Sequence, residues 1–237
     1  MNTQNKQLPA KFLIVLAILG ATFIDVCLSV QNYIVSLGHV YVSAAIFFYP
    51  FLCLILDIIS EIYGYQIAKY ALCIIMLSDF MFGLFTTLVT ELPAPNFWSA
   101  YTKSFDASMV SNLRLALIGV ITITIGQYMN IYFVSKLKIL TRGRYFALRS
   151  MTSTIVGDTF TIVVALFAFF DHRMSNVNIA TIIIAELLMM YLSAAILAYP
   201  GSIITYYLKK VVQPYTDTRI DFNPFRNCGS DSEKIAT

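Results

Sequence analysis

Long apolar stretches divided by short polar connections dominate this chain of 237 residues. Six of the stretches approach the roughly 20 residues that an α-helix needs to cross a lipid bilayer. They lie at residues 12–35, 41–62, 67–90, 111–137, 152–170 and 177–207. We therefore predict an all-α, polytopic membrane protein: a six-transmembrane-helix bundle in one domain over 1–237, with flexible cytoplasmic ends at 1–10 and 212–237.

The composition supports this prediction. Hydrophobic residues make up 58% of the chain and charged residues only 12%, whereas soluble domains are about one quarter charged. The formal net charge of +3 is too small to indicate a nucleic-acid-binding surface, so we expect no nucleic acid partner. The lipid bilayer is the expected environment.

The positions of the basic residues predict the orientation. With six spans and the N-terminus inside, only Lys103 and Arg173 fall on the outer side, and Arg114 falls within a span. The remaining thirteen of the 16 Lys and Arg residues fall on the inner side. Because short cytoplasmic loops carry an excess of Lys and Arg, we predict that both termini are cytoplasmic and that the protein lies in the cell inner (plasma) membrane.

Two carboxylates in the second apolar stretch are the strongest candidates for a site. Asp57 and Glu61 are four residues apart, so both lie on the same face of an α-helix. A charge at membrane depth costs at least a few kcal/mol unless a partner or a polar cavity compensates it. Pro50, about two turns before Asp57, is expected to loosen the helix there. We interpret this helix as facing the bundle interior and binding a ligand.

Further polar residues lie in the later spans. Gln127 and Asn130 share one helix face, as do Thr154 and Asp158 beside Ser153. Amide and carboxylate groups from three helices are enough to surround a small polar heterocycle. For other intramembrane carboxylates, hydrogen bonding between helices is an equal alternative. These are Asp25, Asp79 and Glu186.

The aromatic and basic residues leave alternatives open. Stacking against a ligand is one role for four tyrosines, and packing is the other; they are Tyr63, Tyr65, Tyr128 and Tyr132. Arg114 either extends outward or pairs with a carboxylate. For Arg149, which follows a basic loop, we favour an anchor at the cytoplasmic edge.

The sequence contains no metalloprotease, serine hydrolase or P-loop motif. We therefore expect no enzyme, no catalytic residues, no metal site and no cofactor.

Three sets of residues resemble the queuosine precursor transporter family. Members of this family are six-helix proteins that are also grouped as vitamin-uptake transporters. They are akin to the substrate-binding subunits of energy-coupling-factor transporters. The sets are Asp57-Ile-Ile-Ser-Glu61-Ile-Tyr-Gly64 after Pro50, Arg114 with Gln127, and Thr141-Arg-Gly-Arg144-Tyr-Phe-Ala-Leu-Arg149 with Ser153-Thr154. The resemblance implies import of a 7-deazaguanine for tRNA modification, such as 7-cyano-7-deazaguanine, 7-aminomethyl-7-deazaguanine or queuine.

A guanine-like edge has two adjacent donors and one acceptor. We expect Asp57 or Glu61 to accept from the donors and Gln127 or Asn130 to donate to the acceptor. The full set of substrate-binding candidates is Asn32, Asp57, Glu61, Arg114, Gln127, Asn130, Ser153 and Asp158.

Four positions depart from the family pattern: Asn130 replaces an Asp, Asp158 a Gln, Thr161 an Asp and Tyr191 a Lys. These departures leave the exact cargo open. The alternative function is a substrate-binding subunit for another vitamin-like heterocycle that works with a separate ATPase module. A membrane enzyme or assembly factor is a third hypothesis, and homodimerisation is an open alternative.

Overall fold

The computed structural model describes residues 3–38, 40–93, 95, 97, 99–109, 112–141, 145–170 and 174–212. Within these ranges the chain is predominantly helical. Its helices are α1 Thr3–Val30, α2 Tyr49–Tyr63, α3 Tyr65–Thr90, α4 Ser99–Met109, α5 Asn112–Leu140, α6 Phe146–Phe170 and α7 Asn176–Val211. The predicted cytoplasmic tail after residue 212, together with Arg144 and Arg173, lies outside the described residues.

Five helices are long and apolar enough to cross a membrane, counted among the described residues. They are Ala10–Val30 within α1 and the whole of α3, α5, α6 and α7. They coincide with the first and the last four predicted spans, although the ends differ by several residues. A multi-pass helical protein is therefore confirmed, and the orientation of its termini stays a prediction. Because α1 begins at Thr3, residues 3–10 of the predicted flexible end are helical.

The second predicted span is not one continuous helix. Strand β1 (Ile34–Leu37) pairs antiparallel with β2 (Val40–Ser43), and a 3-10 helix (Ala44–Phe47) leads into α2. Pro50 lies in the first turn of α2, where its missing N–H costs nothing. It therefore belongs to the start of the helix, and our prediction that it loosens the helix was wrong. With 15 residues, α2 is roughly 22 Å long, short of the roughly 30 Å hydrocarbon core.

Helix α2 lies inside the bundle, with twelve of its 15 residues buried. Gly64 alone connects it to α3, at a φ of 86° that favours glycine. A Cβ on Gly20 of α1 would lie 2.6 Å from Ile75 and 3.6 Å from Ile55. Ile55 of α2 and Ile75 of α3 therefore lie at the same height in the bundle, one before and one after Gly64. It follows that α2 and α3 run antiparallel. The buried face of α2 points at the other helices.

Helices α5 and α6 make a close contact through two glycines. A Cβ on Gly157 would lie 2.6 Å from the carbonyl oxygen of Gly126 and 2.9 Å from the Cβ of Asn130. Small residues allow this kind of backbone approach between membrane helices. The contact places the polar residues that follow Gly126 directly beside Asp158.

Candidate functional site

A polar layer crosses the middle of the bundle. The Nδ2 of Asn130 (α5) donates a hydrogen bond of 2.9 Å to Oδ1 of Asp57 (α2), and the Ser150 hydroxyl (α6) donates to Oδ2. Asp57 is 1% exposed. Because each carboxylate oxygen accepts from a different helix, Asp57 joins α2, α5 and α6.

The second half of the layer surrounds Asp158. The Nε2 of Gln127 donates to its Oδ1 at 2.8 Å and to the Tyr49 hydroxyl at 2.9 Å. The Tyr49 hydroxyl in turn donates to the same Oδ1 at 3.2 Å. These residues are buried, and together with Asp57, Asn130 and Ser150 they form what we call the polar layer.

Two acceptors in this layer have no hydrogen-bond partner among the described residues. They are Oδ2 of Asp158 and Oδ1 of Asn130, on adjoining helices. An unpaired buried acceptor carries a cost of about 1–3 kcal/mol. A ligand with two N–H donors would remove that cost.

An ion-pair cluster lies one turn from Asp57 along α2. Glu61 accepts from Arg149 through two bonds, Nη1 to Oε2 at 2.9 Å and Nη2 to Oε1 at 3.1 Å. Lys209 of α7 pairs with the same carboxylate, and Lys138 Nζ donates to the Glu61 backbone carbonyl at 2.6 Å. Arg149 is only 1% exposed. Our interpretation of Arg149 as an anchor at the membrane edge was therefore wrong: it is a buried partner of Glu61.

A large cavity lies on the other side of the polar layer. It encloses about 580 Å³, part of it open to the exterior. Along α2, Asp57 lies between Glu61 of the ion-pair cluster and Tyr49, and Tyr49 lines this cavity. Its apolar wall comes from four helices, and its polar lining residues are Gln31, Tyr49, Asp79, Thr161 and Glu186.

A smaller cavity of about 240 Å³ lies beside Asp57 on the side of α7. Pro50, Asp57, Ser150 and Thr154 contribute to its lining. Asp57 therefore borders empty space although both of its oxygens are hydrogen-bonded.

The structure brings together four of the eight residues predicted from the sequence. Asp57, Gln127, Asn130 and Asp158 are in the polar layer. Glu61 is engaged in the ion-pair cluster, and the buried Ser153 hydroxyl bonds its own helix at the Ser150 carbonyl.

The remaining two candidates lie away from the layer. Asn32 was predicted within the first span but follows the end of α1 at Val30, in a turn. Arg114 is exposed and donates to the Ala168 carbonyl at 3.4 Å.

Sequence analysis missed Tyr49, which belongs to the polar layer and also lines the large cavity. None of the four tyrosines proposed for stacking is among the described cavity-lining residues; Tyr65 and Tyr128 contact each other edge-on at 5.9 Å instead. The only available signal for Tyr49 was its place immediately before Pro50, in the same helix as Asp57.

Comparison with known protein families gives a match over most of the chain. The model of a family described as "Putative vitamin uptake transporter" matches residues 43–208, well over half of the chain. Searches of the curated proteins and of the solved structures found no match. The matched region contains the polar layer, most of the residues that line the large cavity, and the ion-pair cluster except Lys209.

Proposed function

The chain belongs to the putative vitamin uptake transporter family, and on that premise we propose that it imports a 7-deazaguanine across the cell inner membrane. Family membership and the five apolar helices indicate a multi-pass membrane transporter. The choice of a 7-deazaguanine comes from the resemblance to queuosine precursor transporters, and the chemistry of the polar layer supports a guanine-like edge.

The observation that carries the proposal is the pair of unpartnered acceptors, Asp158 Oδ2 and Asn130 Oδ1. A 7-deazaguanine presents N1–H and an exocyclic amine side by side, which are the donors such a pair requires. Adenine lacks the N1–H donor and would leave an acceptor unpaired. Tyr49 provides an aromatic ring at the boundary between the layer and the cavity.

Two of the positions that depart from the queuosine precursor transporter pattern lie side by side, and one regains the chemical group that the other loses. Asn130 stands where the pattern has an acid, and Asp158 stands where it has an amide. Because the two positions adjoin through Gly157, the layer keeps one acid and one amide across α5 and α6. This exchange supports retention of guanine-like chemistry. Tyr191 hydrogen-bonds Thr159 at 2.6 Å and is not among the cavity-lining residues.

The two ends of the site differ in a way that suits import. The cavity is lined by Leu28 and Gln31 at the end of α1 and by Ala45 and Ile46 after the β1–β2 hairpin, at the end of the bundle that we predict to face outward. Towards the predicted cytoplasmic side, the ion-pair cluster of Glu61, Arg149, Lys209 and Lys138 joins α2, α5, α6 and α7. Import then requires the cluster to separate after the ligand is bound, and a ligand can drive this only by binding the second state more tightly.

A thermal-stability panel tests the proposal. The detergent-purified protein is heated with queuine, the 7-cyano and 7-aminomethyl precursors, guanine, adenine, riboflavin and biotin. At a hundredfold excess over Kd, a ligand stabilises the folded state by about 2.7 kcal/mol, or roughly 5–10 °C for a chain of this size. We expect a shift with at least one deazaguanine and none with adenine.

Asp158→Asn gives the matched variant, and we expect it to remove most of the shift. Asp25→Asn is the control, because Asp25 is also an intramembrane carboxylate but bonds Ser78 outside the polar layer. A shift with riboflavin or biotin alone would assign another heterocycle. Uptake into proteoliposomes from purified protein would then separate a self-sufficient transporter from a subunit that needs an ATPase module.

A further inference from the structure

Two acids outside the polar layer line the large cavity. Asp79 of α3 is 2% exposed and Glu186 of α7 is 5% exposed. Glu186 is held in place because its Oε1 accepts a 2.8 Å bond from the backbone N–H of Ser43, at the end of the hairpin. Asp79 lies against Gly119 of α5, where a Cβ would be 3.5 Å from its Oδ2.

Asp79 is not satisfied by the protein. Its Oδ1 is buried and has no hydrogen-bond partner among the described residues. A buried, unpaired carboxylate inside a membrane bundle is costly and is retained where a ligand compensates it. This independent observation separates Asp79 from an acid that merely joins two helices, as Glu186 joins α7 to the hairpin.

Among the described residues that line the cavity, there are two acids and no Lys, Arg or His. Arg114, on the helix turn beside the lining residue Leu115, is exposed and bonds the Ala168 carbonyl. Gln31, Tyr49 and Thr161 add three polar groups, and the other lining residues are apolar, such as Ile24, Leu166 and Phe169. A largely apolar wall with two acids suits an organic cation, since a small inorganic ion would require a full shell of oxygens.

We propose that the large cavity binds a protonated amine on the substrate, so that the preferred cargo is a 7-deazaguanine with a cationic 7-substituent. This inference rests on the proposed function. The 7-substituent is on the five-membered ring and the N1–H edge is on the six-membered ring. Because Tyr49 both bonds Asp158 and lines the cavity, a ligand with its N1–H edge on Asp158 would direct its 7-substituent towards the cavity that Asp79 and Glu186 line.

Paired ligands test the charge preference. The Kd values of 7-aminomethyl-7-deazaguanine and 7-cyano-7-deazaguanine are measured by calorimetry on the wild type. A hydrogen bond to a charged group contributes about 1.5–3 kcal/mol, so we expect the amine to bind about ten- to a hundredfold more tightly. Equal affinities, or tighter binding of the neutral nitrile, would overturn the inference and leave the proposed function standing.

Substitutions at Asp79 assign the preference to the cavity. Asp79→Asn is expected to weaken amine binding at least about tenfold and to change nitrile binding by less than about twofold. Asp79→Glu keeps the carboxylate and should keep most of the preference. Equal weakening of both ligands by Asp79→Asn would show that the residue is structural, against the inference.

Failure of the proposed function gives a distinct result. If no deazaguanine binds, thiamine, whose thiazolium ring is permanently cationic, is compared with neutral riboflavin on the wild type and on Asp79→Asn. Binding of thiamine alone, lost in Asp79→Asn, would support a cation site with a different cargo. Absence of binding by every cation, or binding that Asp79→Asn leaves unchanged, would overturn the inference.

Discussion

Arg149→Met removes the buried cation that holds Glu61. The wild-type pair has two bonds of 2.9 and 3.1 Å, and the side chains are 1% and 0% exposed. Loss of one partner of a buried pair costs about 3–5 kcal/mol because the other charge is left uncompensated. Lys209, 30% exposed, still contacts Glu61 in the variant, so we expect a loss near 3 kcal/mol in the free energy of unfolding.

The assay is SDS-induced unfolding of the purified protein, followed by far-UV circular dichroism. Lys210→Met is the matched control: it removes a positive charge one residue from Lys209, at an exposed position where the ammonium lies 4.2 Å from the centre of the Tyr206 ring, and we expect a change of at most about 1 kcal/mol. The double variant Glu61→Leu, Arg149→Leu should lose less than the sum of the single variants, since neither charge is left alone. Additive losses, or an Arg149→Met variant as stable as Lys210→Met, would refute the role given to this pair.

Two further predictions concern packing and orientation. Gly157→Ala forces a Cβ to 2.6 Å from the Gly126 carbonyl oxygen, so we expect thermal unfolding to show a loss of about 1–3 kcal/mol. Gly119→Ala, whose Cβ would meet nothing closer than 3.5 Å, is the control, and equal stability of the two variants would contradict the contact between α5 and α6. The predicted orientation is tested with a membrane-impermeant maleimide in right-side-out membrane vesicles. The reagent should label Cys228 only after the vesicles are permeabilised, and it should label the variant Ser36→Cys in intact vesicles. The opposite pattern would reverse the predicted topology.

Apolar length was sufficient to predict five spans, because crossing a bilayer sets a minimum that α1, α3, α5, α6 and α7 all meet. The same criterion failed for residues 41–62. Hydrophobicity there comes from a strand, a 3-10 helix and a buried helix in succession, and all three require apolar side chains. Pro50 marked the true start of α2, but a proline predicts an N-terminal turn and a mid-helix kink equally well in an apolar run.

The sequence was sufficient to predict which residues form the site, but not which residues contact each other. Polar groups at membrane depth are costly and mark functional sites, which is why the sequence pointed to Asp57, Gln127, Asn130 and Asp158. Their partners come from distant parts of the chain, as with Arg149, 88 residues after Glu61. Such contacts depend on how helices pack, and periodicity within one helix carries no information about them.

The hydrogen bond from Ser43 to Glu186 can form only late in the synthesis of the chain. The two residues are 143 positions apart, which at roughly 5–20 residues per second corresponds to about 7–30 s of translation. During that interval the apolar segment 41–62 is in the membrane without the carboxylate that fixes the end of the hairpin. The nascent segment can satisfy its backbone as a simple helix until α7 arrives. Because Glu186 lines the large cavity, the lining of that cavity is complete only after this part of α7 has been synthesised.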